Sequence, residues 1–543
     1  VKLLRVKILG ESFRSLTANK DYEFNWTESE NRLSNKVFAG LNGSGKSNFL
    51  ELLAEIFYFL ERCHLSNTPD EYKRNINVGF EIEYILPSRN IIINLKKLKF
   101  IDDLIHSDLH VKIIKLRDEF PEFSYSKVGK NEFIRLDSDT EQLLPSKVIA
   151  YTSGQNELLS NPFVRLKYQY FNEVKFKDNH TNFDRLFFLN EDSNYAIFVS
   201  VLLLATHHQL YYFKKLFRIN DLCSFRITFN YKYNTKEALL LFKKKMHLLE
   251  PLKACATSWV DNKENKCLTL DFEITKASHQ AFTHFYRTPF KLFKTFYELD
   301  TLNLLLDKAQ TKKFVEVAHK SINITDELSK KDPSDLIFRI EKIKVTKLDK
   351  DGNPFEIFYK SLSDGEHQFN EVVGSVMMME EEGCLFLLDE PDTHFNPKWR
   401  AKTIEMLNHV AANSYTANGK PEFIRKQEII ITTHSPFIIS DSKREDVYKF
   451  ERVAGELFLK NPKTETYGSS ITYLMKEIFN RDITISDFAN NELEGFRDEL
   501  KNLDDSVDRK EKVDLIKEKL LDFGESVEKF DLYTYLNYLN RNK

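Results

Sequence analysis

Cysteine is scarce in this 543-residue sequence: five residues, Cys63, Cys223, Cys255, Cys267 and Cys384, with no CxxC pair. Scattered and odd in number, they exclude a disulfide framework and a Cys-based zinc site, and fit a reducing cytoplasm. A surplus of charge of one sign is missing too, since 79 Lys and Arg face 82 Asp and Glu for a formal net charge of −3. That balance excludes a surface coated in positive charge for indiscriminate nucleic-acid binding; any such contact has to come from a local patch. No apolar run is long enough for a membrane span. The most apolar stretch, Tyr195 to Ala205 (YAIFVSVLLLA), runs straight into His207-His208 and reads as a buried helix, so no membrane partner is expected. No charged-then-apolar leader precedes the first strand-like segment, which agrees with the cytoplasmic expectation. Internal repeats and long low-complexity linkers are absent as well.

Aromatic residues, by contrast, are abundant, with 45 Phe and 23 Tyr, and imply large aromatic cores. A chain of this length exceeds one ordinary core and implies two or three domains. Residues 1–155 read mainly as short strands: Leu3 to Leu9, Val78 to Leu86, Asn90 to Leu95, Val111 to Leu116 and Val148 to Tyr151. One helix interrupts them, marked by Phe49, Leu50, Leu53, Ile56, Phe57 and Leu60 at three- and four-residue spacing. Residues 156–335 read as mostly helical, with breaks near Pro162, Pro251 and Pro289; Cys223 to Tyr231 and Cys267 to Ile274 have the wording of short strands. Strand character returns over 336–460, with a hairpin turn at Asp351-Gly352, a long helix and the apolar strands Cys384 to Leu388 and Glu428 to Thr432. Residues 461–543 read as helical and highly charged.

Chemistry concentrates in a few places. Gly40-Leu41-Asn42-Gly43-Ser44-Gly45-Lys46-Ser47 fits GxxxxGK[ST] between the strand-like Lys36-Val37-Phe38 and the helix. Glycines let backbone N–H groups curl around phosphates, Lys46 reaches the β- and γ-phosphates, Ser47 ligates Mg²⁺, and the helix N-terminus adds positive potential. Leu385 to Glu390 (LFLLDE) is an apolar strand ending in two carboxylates. A buried strand tolerates adjacent acids only when something offsets their charge, and Mg²⁺ with a polarised water does so. Asp389 then holds the metal through water and Glu390 orients or deprotonates the attacking water. Upstream, Leu362 to Gln368 (LSDGEHQ) opens a helix. There Ser363 and the Gly365 N–H form an anion cradle, while Ser363 and Glu366 also have capping-box spacing.

Taken in order, these motifs resemble the RecF/SMC/OLD branch of the ABC-type ATPases, over roughly residues 1–155 and 336–460. Asn42 and Asn48 around the loop, LSDGE at Ser363, THSP at His434 and the run Glu390 to Pro397 (EPDTHFNP) carry the resemblance. It implies an α/β fold. The ABC-type P-loop head has an antiparallel β lobe, and a mostly helical insertion and a helical C-terminal extension complete the layout. It implies that Gln155, in Thr152 to Glu157 (TSGQNE), is the glutamine loop touching Mg²⁺, and that His434 is the switch histidine on the γ-phosphate. ATP and Mg²⁺ are the implied ligands. Each nucleotide is implied to lie between one subunit's phosphate loop and the other's Ser363, hence a homodimer or higher even oligomer.

The insertion lacks sustained heptads, so it is not a long coiled-coil arm. No strand after His434 ends in DxD, and no histidine follows it, so no nuclease site is recognised. That layout, with YTSGQNE, LSDGEHQF and LDEPDTHFNP, resembles the PtuA-type ATPases of Septu antiphage defence, including retron-associated versions. A separate HNH nuclease is the implied partner, with a reverse transcriptase and its RNA/DNA in the retron setting. The charged helices over 491–543 are the expected docking region. The alternative is a RecF-like repair ATPase binding DNA across the dimer, with Lys96-Lys97, Lys214-Lys215 and Lys243-Lys244-Lys245 as its candidate basic patches. A toxin or nuclease with an unrecognised site is the third reading.

Overall fold

The computed structural model describes residues 1–26, 33–65, 68–74, 79–87, 108–130, 132–154, 157–176, 185–233, 235–317, 324–416, 421–502 and 508–541. The candidate strand Asn90 to Leu95, the pair Lys96-Lys97 and Gln155 lie outside these residues.

Hydrophobic wording on both faces explains the central sheet. Its strands run in the order Glu456–Lys460, Val447–Val453, Ser34–Ala39, Glu428–Thr433, Cys384–Asp389, Lys147–Thr152 and Leu186–Phe188. Every pairing is parallel except that of the first two, which form a hairpin over Ala454 and Gly455, both with positive φ. Parallel strands covered on both sides read as continuous apolar runs, and alternate residues here enter different cores. Phe386, Leu388, Ile429 and Ile431 join one cluster. Leu385, Leu387 and Ile430 join the other.

The second cluster is closed by the phosphate-loop helix Lys46–His64 and by an antiparallel six-stranded sheet. In that sheet Lys2–Leu9 pairs with Gly79–Leu86, which pairs in turn with Leu109–Lys115. The first cluster is closed by the insertion. Its apolar helix Glu191–Leu204 is buried along nearly its whole length and starts with a capping box between Asn190 and Ser193. Among the described residues no helix is long and apolar enough to cross a membrane.

The insertion is more than a helical bundle. Ser258–Asn262, Cys267–Glu273 and Ile219–Asn230 form an antiparallel sheet with Phe338–Leu348 and Pro354–Phe358. Asn220, Asp221 and Ser224 disguise the long strand Ile219–Asn230 as a turn. Its register shifts at Ile219/Asp221 and Leu222/Ser224 accommodate them. Pro162 and Pro289 lie at helix starts, as their missing N–H favours. Pro251 does not break its helix, which runs from Lys236 to Cys255. Burial of Leu249, Leu252 and Cys255 around it holds the turn together against the roughly 3 kcal/mol a helical proline costs.

Beyond the hairpin, the helix Ile471–Phe479 returns to the central sheet, sharing the first core through Leu474, Ile478 and Phe479. Three further helices, Asp487–Lys501, Asp508–Lys519 and Val527–Arg541, enclose a small core of their own built from Leu493, Phe496, Leu500, Val513, Ile516, Leu520, Leu532 and Leu536.

Candidate nucleotide site

Four adjacent parallel strands end on one edge of the central sheet. Thr433 pairs with Ala39, and Asp389 pairs with both Thr432 and Thr152. The loops that continue from them carry Gly40, His434 and Glu390. Thr152 leads toward Gln155, which lies outside the described residues. Carboxyl ends of parallel strands are where open α/β sheets bind ligands.

Backbone conformation makes the phosphate loop. Gly40, Gly43 and Gly45 have φ of 147°, 73° and 104°. A Cβ on Gly40 would lie 2.5 Å from the Phe450 carbonyl, and one on Gly45 would lie 2.9 Å from Ser15 Oγ. These positions therefore require glycine on two counts. Asn42 and Gly43 are exposed at the loop tip, while Ser44, Gly45 and Lys46 are buried. The helix that follows has no side-chain cap and no acid in its first turn, so its leading N–H groups remain available to an anion. Ser44 Oγ is buried with no hydrogen-bond partner among the described residues.

Lys46 is the centre of the polar cluster. Its ammonium donates to the carbonyls of Gly40 (3.0 Å) and Leu41 (3.2 Å) and to His434 Nε2 (3.1 Å). Burial pulls its pKa down to about 8, opposed by the charges of Glu390 and Asp389. Because an ammonium only donates, His434 Nε2 accepts, which leaves the imidazole proton on Nδ1. Burial, then the Lys46 charge, lower the His434 pKa to about 4. The 3.4 Å contact between His434 Nε2 and Glu390 Oε1 is thus not an ion pair at neutral pH.

The two carboxylates differ in setting. Asp389 is buried and accepts from Ser47 Oγ at 2.9 Å and from Thr432 Oγ1. Its pKa is raised by burial against those hydrogen bonds. Glu390 is half-exposed, and its pKa is raised by burial and by the neighbouring Asp389. Its φ of 50° is rare for a residue with a side chain and is held by its N–H, which reaches both the carbonyl and the hydroxyl of Thr432 at 3.1 Å.

Ser363 is exposed and caps the helix Asp364–Phe369 in a reciprocal box with Glu366, whose carboxylate accepts from the Ser363 N–H at 2.9 Å. Lys347 pairs with Glu366 from the insertion sheet. Gly365 allows a close approach to the loop after the acidic strand, because a Cβ there would lie 2.6 Å from the His394 carbonyl. Gln368, buried in that helix, accepts from the His394 N–H at 2.8 Å and donates to Tyr151 OH at 3.0 Å. A single side chain thus joins the Ser363 helix to the loop after Glu390 and to the strand that leads toward Gln155.

Lys46, Ser47, Asp389, Glu390 and His434 come together. Asn48 points elsewhere, donating to Ser15 Oγ at 2.6 Å. No motif marks the turn that carries this serine: Phe13 to Leu16 folds back on itself, and Arg14 pairs with the buried Glu51 of the phosphate-loop helix. A buried acid on an otherwise apolar helix face was the available signal for such a partner.

Residues 260–440 match the family model described as "AAA domain, putative AbiEii toxin, Type IV TA system". The matched span is less than half of the chain; it takes in Ser363, Asp389, Glu390 and His434 and leaves the phosphate loop outside. The chain therefore carries an AAA-type ATPase domain of mixed α/β fold. Among characterised proteins, Septu protein PtuA of Bacillus thuringiensis is 30% identical over 99 residues, 16% of this chain and 21% of that protein. The similarity spans only about a fifth of the relative's length.

Proposed function

We propose that the chain hydrolyses ATP as an ABC-type switch that closes as a dimer around nucleotide and regulates a separate nuclease in antiphage defence. The observation that carries the nucleotide reading is the convergence of Lys46 with His434, Glu390, Asp389 and Ser47 at the strand ends. Lys46 and the loop N–H groups bind the β- and γ-phosphates; once Lys46 turns to them, His434 Nε2 is released from accepting its proton and can carry the ring N–H that donates to the γ-phosphate. Glu390 takes the proton of the attacking water. The uncapped helix start and the unpartnered Ser44 Oγ supply donors for the phosphate oxygens.

The donor set also fits magnesium. Ser47 Oγ and the Asp389 carboxylate, whose pKa burial raises, are hard oxygen ligands 2.9 Å apart. Bound there, with Gln155 as a further ligand, Mg²⁺ would neutralise charge on the transferring phosphoryl group.

Dimer closure is supported by the exposure of Ser363 at the start of a capped helix, available to a nucleotide held by a second copy. The defence role rests on the similarity to the Septu protein and on the motif wording. The three-helix bundle over 487–541 has a core of its own and exposes Phe488, Leu521, Phe530 and Tyr538, which supports it as the docking region for an HNH nuclease. A reverse transcriptase with its RNA/DNA belongs to the retron-associated version of the same reading. The RecF-like alternative draws less support, because Lys214 and Lys245 are occupied by Asp221 and Glu298.

Purification of the Glu390→Gln variant with ATP and Mg²⁺ tests the closure: a nucleotide-dependent dimer is expected, and a monomer at all nucleotide concentrations refutes it. Co-purification with a small HNH protein, lost on deleting 491–543, is the expected partner result; an unchanged complex removes the docking assignment.

A further inference from the structure

The switch histidine has a third neighbour that belongs to neither the phosphate loop nor the acidic strand. Phe479 lies with its ring centroid 6.1 Å from that of His434, the two planes 29° apart. Phe479 is 8% exposed, and it ends the helix Ile471–Phe479, far downstream of the catalytic motifs. Offset-stacked aromatic pairs at such separations are worth about 0.5–1.5 kcal/mol beyond their area burial.

Both ends of that helix are anchored to the elements bearing the site. At its start, Gly468 N–H donates to the Ser440 carbonyl and Ser440 Oγ donates to the Ser469 carbonyl, each at 2.8 Å. Ser440 closes the short helix Pro436–Ser440 that follows His434. At its end, Asn480 takes a left-handed conformation with φ of 54°, and Arg481 N–H bonds the Met475 carbonyl at 3.0 Å. Lys449 Nζ donates there to the Glu477 carbonyl (3.0 Å) and to Asn480 Oδ1 (3.1 Å). Lys449 itself pairs in register with Ala39, the residue before the phosphate loop. The Phe479 ring is therefore presented to His434 by a scaffold clamped on both sides of the site.

Lys46 and Glu390 meet the imidazole at its Nε2 edge. Phe479 on one side and the Lys46 contact at Nε2 together bear on the orientation of the imidazole. We infer that Phe479 is a positioning residue for His434, so that the segment downstream of the ATPase lobe bears on hydrolysis. Immediately past it, Arg481 pairs at 3.1 Å with Asp487, the first residue of the three-helix bundle. This inference rests on the reading of His434 as the γ-phosphate contact.

Steady-state hydrolysis of Mg-ATP by the full chain tests it. Phe479→Leu keeps apolar bulk but removes the flat ring. It is expected to lower kcat by roughly 2- to 12-fold, the scale of an aromatic pair, with KM and Tm little changed. Phe479→Tyr, which restores a ring, should restore kcat. In a His434→Ala background, Phe479→Leu should bring no further loss, because a positioning residue has nothing left to position. Wild-type kcat in Phe479→Leu, or the same fold loss in both backgrounds, overturns the inference while leaving the site intact. Wild-type turnover by His434→Ala alone overturns the reading of the site, and the inference with it. Should Phe479→Leu not fold, Phe479→Met carries the same comparison.

Discussion

Lys46 Nζ donates to His434 Nε2 across 3.1 Å, joining the two ends of a loop-to-loop span of nearly four hundred residues. Burial lowers the pKa of both groups, and the Lys46 charge adds to the lowering at His434. A neutral imidazole beside a buried ammonium keeps a single positive charge at this edge of the sheet. His434 is here the neutral acceptor of the Lys46 proton rather than a second cation.

Removal of that charge has a direct consequence. Lys46→Ala is expected to abolish ATP binding by calorimetry or fluorescent-nucleotide titration. Tight binding by the variant would overturn the phosphate-loop assignment.

Glu390→Gln keeps the shape of the side chain, including the Oε1 that faces His434. ATP binding should persist while hydrolysis slows by a factor on the order of 10² or more, the usual cost of losing a general base. Unchanged turnover in a phosphate-release assay would take Glu390 out of that role.

Glu371 makes a prediction about pH and stability. Burial raises its pKa to about 7, and Asn194 Nδ2 donates to its Oε1 at 3.1 Å. The group holds its proton more tightly when folded than when unfolded. Its stabilising contribution is therefore complete below the unfolded value near 4.5 and is lost as pH rises through about 7. Glu371→Gln mimics the protonated form. Its Tm should match the wild type near pH 5 and exceed it at pH 8.5, by a margin on the order of 1–3 kcal/mol in unfolding free energy. A Tm difference that does not change with pH would refute the assignment.

Arg425 makes a prediction about stability alone. The guanidinium is 2% exposed and its bonded partners are carbonyls: Ala411 (2.9 Å), Val376 (3.1 Å), Val410 (2.6 Å) and Met379. Burial lowers its pKa to about 10. It stitches the ends of helices Ser375–Met378 and Thr403–Val410 in place of the missing helical N–H donors. Arg425→Ala strands these acceptors and should cost roughly 3–5 kcal/mol by chemical denaturation. Arg425→Lys should recover only part, since three donors on a point charge do not reproduce the planar fork.

Much of the site was legible because its parts are local. The phosphate loop needs glycines at fixed offsets, and Gly40, Gly43 and Gly45 do adopt positive φ. An apolar strand ending in two acids announces Asp389 and Glu390, and LSDGE carries its own helix start through Ser363 and Glu366. The apolar helix Glu191–Leu204 and the charged helices after 471 were equally readable from composition. The strand Ile219–Asn230 was only partly legible, because its first residues carry turn-like polar wording that bulges absorb.

What the chain's wording determined by itself, then, is the set of chemical groups and the local backbone that displays each of them. Tertiary structure alone decided which groups meet. Lys46 finds His434, Arg14 finds Glu51, and Phe479 finds His434 because of the order in which strands enter one sheet and helices close over it. No local pattern encodes that order. It follows from burying two continuous cores on opposite faces of the same strands, a balance reached only by the folded chain as a whole.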